Sequence, residues 1–189
     1  VETILESCVT AHGLSSIALR YFNASGADAE GRTGERHDPE THLIPLIIDA
    51  ALGIRPQINI YGADYDTPDG TCIRDYIHVS DLASGHVAAV DHLLKNKTPS
   101  FTPINLGTGL GHSVRDVVEA VKRISGLDFK VNDAPRRAGD PAMLVANADA
   151  AKRILGWSAQ YSDLDTIVRD AWAYAVKTSN GGPEDLPGL

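Results

Sequence analysis

IALRYFNASGAD, residues 17–28, decides how the chain is read. Ile17 to Phe22 is almost wholly apolar and begins after the turn-forming Ser15 and Ser16, which reads as a strand. So apolar a run is expected of a parallel strand covered on both faces. A polar, glycine-rich stretch from Asn23 to Thr41 follows at once, carrying Gly26, Gly31, Gly34 and Pro39. It is too long for a simple connection and reads as a functional loop. A strand end opening into a small polar loop is where open α/β sheets take ligands. Asn23 stands at that junction and can donate and accept at once, which suits a sugar hydroxyl or a phosphate oxygen.

Upstream, VETILESCVTAHG (1–13) has Val1, Ile4, Leu5 and Cys8 at helical spacing and His12-Gly13 as a stop. No Ser, Thr, Asp or Asn cap precedes it, and the chain's one methionine is Met143. The opening therefore reads as a helix already in progress, in a fragment whose beginning is missing. Downstream, residues 43–52 read as a helix with Pro45 tolerated in its first turn. QINIYG (57–62) alternates like a strand, 63–71 reads as a hairpin turning at Asp69-Gly70, and CIRDYIHV (72–79) as another strand. Ser80 is expected to cap a helix running to about Leu94. PINLG (103–107) is a short strand, and Ser113 and Gly126 bracket a helix that holds Glu119. FKVND (129–133) is a strand, APRRAGDP (134–141) a basic loop, and Asn147 or Asp149 starts a short helix ending near Gly156. Trp157 is expected to pack. Residues 163–177 form a last amphipathic helix with Leu164, Ile167, Ala171 and Trp172 on one side. NGGPEDLPGL (180–189) reads as a disordered tail. Strands alternating with helices make the fold class α/β.

The chain has 189 residues and a formal net charge of -8. An acidic surface argues against nucleic acid and anionic membrane as partners. The apolar run LIPLIIDAAL (43–52) is far shorter than the roughly 20 residues of a membrane span, and nothing reads as a cleavable leader. Cys8 and Cys72 read as unpaired thiols in a reduced, cytoplasmic setting. His12, His37, His42, His78, His86, His92 and His112 are scattered, and no pair is expected to meet a third zinc ligand; no metal is expected.

Gly107-Thr108-Gly109-Leu110-Gly111 has the wrong spacing for a dinucleotide loop and no acidic strand end about 20 residues on. It reads as a tight turn before a helix. Arg136 and Arg137 stand side by side in an acidic protein, followed by Asp140. An arginine fork can hold a diphosphate, and a neighbouring aspartate can hold the arginine or a sugar hydroxyl. Arg74, between Ile73 and Tyr76, either pairs with Asp75 or another acid or reaches for a ligand phosphate.

Together, RYFNASGADAEGRTGE (20–35), HLIPLIIDAALG (42–53), INIYGADYDTPDGTCIRDYIHVSDLASGH (58–86), INLGTGLGHSVRDVV (104–118) and APRRAGDPAMLVANADAAKRILGW (134–157) resemble the UDP-glucose 4-epimerases in order and spacing. TPDGTCIRDYIHVSDLA (67–83) is the most specific part, and the likeness runs from Val1 to about Lys177. The resemblance places the chain in the C-terminal half of an extended short-chain dehydrogenase/reductase. It implies the C-terminal part of a Rossmann-type NAD(P)-binding fold plus a small mixed α/β UDP-sugar-binding lobe. Residues 1–22 would be the remnant of the Rossmann-type domain, 23–177 mainly the substrate lobe with 72–95 returning to the first domain, and 178–189 a flexible tail.

The resemblance also implies roles. Tyr21 and Phe22 would lie beside the nicotinamide of NAD. Asn23, Arg74, Arg137 and Asp140 would hold the diphosphate of UDP-glucose or UDP-galactose. His42 and Leu43 would take the nucleotide end, and Asn59, Ile60 and Tyr61 the uracil. Leu144, or Met143 with the loop shifted by one, would bound the sugar. The tyrosine–lysine pair that drives catalysis in the family, and its NAD loop, would precede Val1, so no catalytic residue is named and the chain alone is expected to be inactive. The intact enzyme would be a homodimer in the cytoplasm, and the fragment prone to association. The alternatives are another nucleotide-sugar enzyme of the superfamily, a dehydratase or decarboxylase, or a non-catalytic nucleotide-sugar-binding remnant.

Overall fold

The computed structural model describes residues 1–179, so the tail expected at 180–189 lies outside the described residues. Residues 178 and 179, expected in that tail, belong instead to the last helix. In chain order the elements are α1 (Glu2–His12), β1 (Ser16–Arg20), β2 (Asn23–Ser25), α2 (Leu43–Ala51), β3 (Ile58–Tyr61), β4 (Ile73–Arg74) and β5 (Tyr76–His78). There follow α3 (Val79–Lys95), β6 (Phe101–Asn105), β7 (His112–Ser113), α4 (Val114–Ser125), β8 (Val131–Ala134), β9 (Met143–Leu144), a π-helical turn (Ala151–Leu155) and α5 (Leu164–Ser179).

Local chemistry explains the helix ends. Ser113 Oγ accepts from the Asp116 amide while the Asp116 carboxylate accepts from the Ser113 amide, a reciprocal box that starts α4. Gly126, at φ 68°, closes α4 in the left-handed region that glycine enters without strain. For α3 the expected cap moves back by two residues: His78 is the N-cap, and its Nδ1 accepts from the Ser80 amide at 3.0 Å.

The strands pair across long stretches of sequence. β1 runs parallel to β6, β2 to β5 and β3 to β8, while β4 lies between antiparallel β7 and parallel β9. Three expectations change here. Residues 63–71 do not join a hairpin, because the partner of β3 is β8; the loop closes on itself instead, with the Tyr65 amide donating to the Gly70 carbonyl at 2.9 Å. The expected strand 72–79 breaks at Asp75, whose backbone serves two sheets: its N–H donates to Leu144 O at 3.1 Å and its carbonyl accepts from Asn23 N–H at 3.3 Å. The loop expected from Asn23 begins with a strand, since Asn23–Ser25 pairs with Tyr76–His78.

Two apolar cores result. In the first, Ile44, Ile47 and Ile48 of α2 meet Ile58 and Ile60 of β3, Val117, Val118 and Val121 of α4, and Ile167 and Val168 of α5. In the second, Ile77 of β5, Leu82 of α3 and Ile104 of β6 pack with Leu106, Ala151 and Trp157, whose indole N–H donates to Ser84 Oγ at 2.8 Å. Tyr76 belongs to the first core and Ile77 to the second, because successive side chains of a strand point to opposite faces. Thus β5 is the seam between the cores. Within this chain the apolar first strand is not covered on both faces. Ser16 to Leu19 are half-buried, Arg20 is exposed, and β6 is the one strand partner of β1 among the described residues.

Candidate functional site

Strands β2 to β5, the start of α2 and the loop after β8 send side chains into one cleft of about 510 Å³. β2 contributes Asn23, and β4 contributes Arg74. β3 contributes Asn59 and Tyr61 from one side, with Ile60 between them turned into the first core and 1% exposed. The start of α2 brings His42 and Leu43. The basic loop after β8 brings Arg137 and Asp140, and Phe22 lies at the edge. Tyr21 and Leu144 are not among the lining residues. Tyr21 meets the ring of His86 edge-on, and Leu144 stands on β9 beside Arg74 as its register partner.

The cleft's charges are arranged unequally. Arg74, with its side chain 12% exposed, donates to the Ile73 carbonyl at 2.7 Å and pairs with Asp140. Of the three outcomes left open for it, the pairing with another acid is realised and that with Asp75 is not. Arg136 turns out of the cleft: its Nε donates to Asp64 Oδ1 at 2.6 Å and its guanidinium lies 4.1 Å from the centre of the Tyr65 ring. Arg137 lies 4.1 Å from the centre of the Tyr61 ring and, among the described residues, forms no ion pair. A guanidinium stacked on an aromatic face keeps all its N–H donors in the ring plane, free for a bidentate acceptor. Burial pushes the Cys72 thiol above its usual range, with Arg74 pulling the other way, so Cys72 lines the floor as a neutral group.

β3 fits a flat polar ring. One of its edges pairs with β8, and its other edge meets no strand among the described residues. Asn59 Oδ1 accepts from Gln57 Nε2 at 3.0 Å and from Asn132 Nδ2 at 3.2 Å, which fixes that side chain.

Asp75 accounts for the glycine turn. The carboxylate is 1% exposed and accepts from the Thr108 and Gly109 amides at 3.1 Å, from Thr108 Oγ1 at 2.7 Å and from the Ala146 amide at 3.1 Å. Two amides of the glycine turn, those of Thr108 and Gly109, are thus already taken by the protein's own carboxylate, which agrees with the reading of that turn as structural.

Sequence reading missed two features. Arg55 and Gln57 also line the cleft, and a lone arginine after Gly53 in an acidic chain was the available signal. The second is a gathering of histidines. Glu35, His37, Glu40 and His42 each place one ligand-capable atom within 4.8 Å of the others, so the expectation that no histidine pair meets a third ligand fails. The reason is local: Glu40 Oε1 accepts from the Thr41 and His42 amides at 2.7 Å, folding the segment back on the start of α2. Burial pushes the Glu35 carboxyl above its usual range, against the pull of His42.

The sequence profile of the NAD dependent epimerase/dehydratase family matches residues 1–107. A UDP-glucose 4-epimerase of Rhizobium meliloti is 52% identical over 170 residues, covering 90% of this chain and 51% of that protein. One of Halalkalibacterium halodurans is 47% identical over 182 residues, covering 96% and 54%. The crystal structure of UDP-glucose 4-epimerase from Brucella ovis in complex with NAD aligns with a TM-score of 0.87 at 51% identity, over 92% of this chain and 53% of that one. That from Bifidobacterium longum in complex with NAD+ and UDP aligns with a TM-score of 0.87 at 39% identity, over 95% and 53%. The chain spans about half the length of the curated relatives it matches.

Proposed function

Because the chain belongs to the NAD dependent epimerase/dehydratase family, we propose that it is the C-terminal, UDP-sugar-gripping part of a UDP-glucose 4-epimerase. The observation that carries this reading is Arg137: a cation stacked on Tyr61, inside the cleft, with no carboxylate of its own among the described residues. Arg136 beside it is already neutralised by Asp64. The cleft is therefore short of one anion, and a diphosphate supplies it.

Arg74 and Arg137 clamp the two phosphates from opposite walls. Asp140 holds Arg74 in place before the ligand arrives, which spares the ordering of a long side chain on binding. Asn23 donates to a phosphate oxygen. The uracil lies along the open edge of β3, at Asn59 and Ile60, against the ring of Tyr61, with His42 and Leu43 closing the nucleotide end. Leu144 reaches the sugar from β9. The substrates are UDP-glucose and UDP-galactose, and the intact enzyme is a cytoplasmic homodimer. Residues 1–22, and 72–95 after them, belong to its cofactor-binding domain and the remaining residues to 177 mainly to its substrate lobe. The second core, where Ile17 and Leu19 meet Ile77 and Leu82, supports grouping 1–22 with 72–95, and Ile104, Leu106, Ala151 and Trp157 pack there as well.

The residues present fit one end of NAD. Tyr21 and Phe22, 44% and 49% exposed just beyond β1, offer apolar faces for a nicotinamide. Bound there, NAD supplies the oxidation of the sugar at C4 and its reduction from the other face. The Thr108 and Gly109 amides, taken by Asp75, are not offered to the pyrophosphate. What this chain does for the reaction is to fix the UDP so that the sugar has one anchored end.

Calorimetric titration of the 189-residue chain with UDP tests the reading. Saturable binding is expected, weakened roughly 10- to 100-fold in Arg137→Ala. Absence of saturation, or an Arg137→Ala variant that binds as tightly, overturns it.

A further inference from the structure

The segment Glu-Arg-His-Asp-Pro-Glu-Thr-His, 35–42, brings its two glutamates and two histidines together at the rim of the cleft. His42 Nδ1 lies 2.8 Å from Glu35 Oε1 and 2.9 Å from Glu40 Oε1, and His37 Nδ1 lies 3.6 Å from Glu35 Oε1. The two imidazole centroids are 4.7 Å apart. A ring nitrogen carries at most one hydrogen, so the two carboxylate oxygens that face Nδ1 of His42 can only share it.

The charge is unbalanced. Among the described residues neither Glu35 nor Glu40 pairs with a lysine or arginine; histidines are their sole basic partners. Neutral imidazoles leave two adjoining carboxylates uncompensated, at side-chain exposures of 21% and 13%. Like charges so placed repel, and a bound cation relieves that repulsion. The imidazoles are more open, at 47% and 52%, so an ion can enter past them. Glu40 is also held from behind, by the Thr41 and His42 amides, in the way that outer-shell bonds orient a metal ligand.

We propose that Glu35, His37, Glu40 and His42 bind one divalent ion of the zinc class. Two imidazoles with two carboxylates suit zinc and its borderline neighbours, whereas magnesium and calcium take oxygen ligands. Bonds of about 2.0–2.2 Å put tetrahedral ligands about 3.3–3.6 Å apart. The widest edge of the present set, at most 4.8 Å, closes to that by small side-chain rotations within one loop. Four protein ligands leave no open position, so the ion is structural: it ties the loop after β2 to the first turn of α2, where His42 and Leu43 wall the cleft. The site shares His42 with the cleft wall, and titration with the ion alone reads it without any UDP-sugar.

Dialysis of the 189-residue chain against EDTA, then calorimetric titration with ZnCl2, tests the proposal. One ion per chain is expected, with affinity lowered at least tenfold in Glu35→Gln and in His37→Ala. Co2+ in place of zinc is expected to give visible ligand-field bands, no thiolate charge-transfer band, and loss of the visible bands in both variants. The unmodified chain decides even where a variant fails to fold. No stoichiometric binding, a thiolate band that assigns the ion to Cys8 or Cys72, or unchanged affinity in both folded variants overturns the site.

Discussion

Ile167 and Ile4 are the same residue on two helices of this chain, yet one is fully buried and the other 68% exposed. The contrast runs through the two lobes that meet at β5. Around Ile167, helices α2, α4 and α5 close on β3 from several sides, and the apolar stripe of each helix is spent against another. Around β1 and β6 the second core is smaller, α1 buries no residue, and Val87, Val90 and Leu94 of α3 stand more than half exposed at helical spacing. An amphipathic pattern shows that a helix has a face to bury, but not whether the covering element lies within the chain. The first lobe is held by its own contacts. The second carries apolar surface of the kind that other elements cover.

The sharpest way to break this comparison is to cut the same methyl groups from each lobe. Ile167→Ala is expected to lower the unfolding free energy by about 2–5 kcal/mol, and Ile4→Ala to change it by less than about 0.5 kcal/mol. Urea denaturation of both variants measures it, and near-equal losses would erase the distinction between the lobes. The next effect separates binding from stability within the cleft. Arg74→Ala and Arg137→Ala should each weaken UDP binding by about 1.5–3 kcal/mol. Only Arg74→Ala should also lower the melting temperature, since it alone strands a carboxylate, that of Asp140. Calorimetry paired with thermal melts reads both.

Association should follow the open lobe. Light scattering over a dilution series is expected to show concentration-dependent growth, reduced in Val90→Ser/Leu94→Ser and unaffected by exposed polar changes on α4. A monomer at all concentrations would show the exposed stripe to be harmless. The smallest effect is expected at Leu144. If Leu144 bounds the sugar pocket, a smaller residue there makes room for a bulkier sugar, so in the intact enzyme Leu144→Ala should raise kcat/KM for UDP-sugars carrying an N-acetyl group relative to UDP-galactose by about tenfold or less. A flat ratio would place the sugar elsewhere.

Periodicity made most helices legible. The Ser113 and Gly126 signals bracket α4, and the apolar faces of α2 and α5 are those that pack. Strand pairing was not legible, because parallel partners such as β3 and β8 lie some 70 residues apart and nothing local records the register. Asp69-Gly70 looked like a hairpin because a tight turn is a local property, whereas what the flanking strands pair with is not. Likewise Asp75 sits in an apolar-rich strand pattern, and only the fold shows four donors converging on its carboxylate. In the cleft, residue type pointed to Arg74, to Arg136 and Arg137 together and to Asp140; the family resemblance singled out Arg137, and the fold shows that it is the one of the pair without an acid among the described residues. The meeting of His37 and His42 was hidden for another reason: residues five apart in an irregular loop have no fixed geometry until backbone hydrogen bonds set it.

Tyr76 and Ile77, neighbours on β5, anchor in different cores. In mechanical terms the strand is a shared axle with no slack, since one peptide bond joins the two packings. Hydrogen exchange at its amides needs only one core to let go, so they will report the weaker opening of the two. A ligand that tightens the cleft then slows exchange there only as far as the looser lobe permits. The protection ceiling at Tyr76–His78 is thus a direct reading of how firmly the α3 side is held.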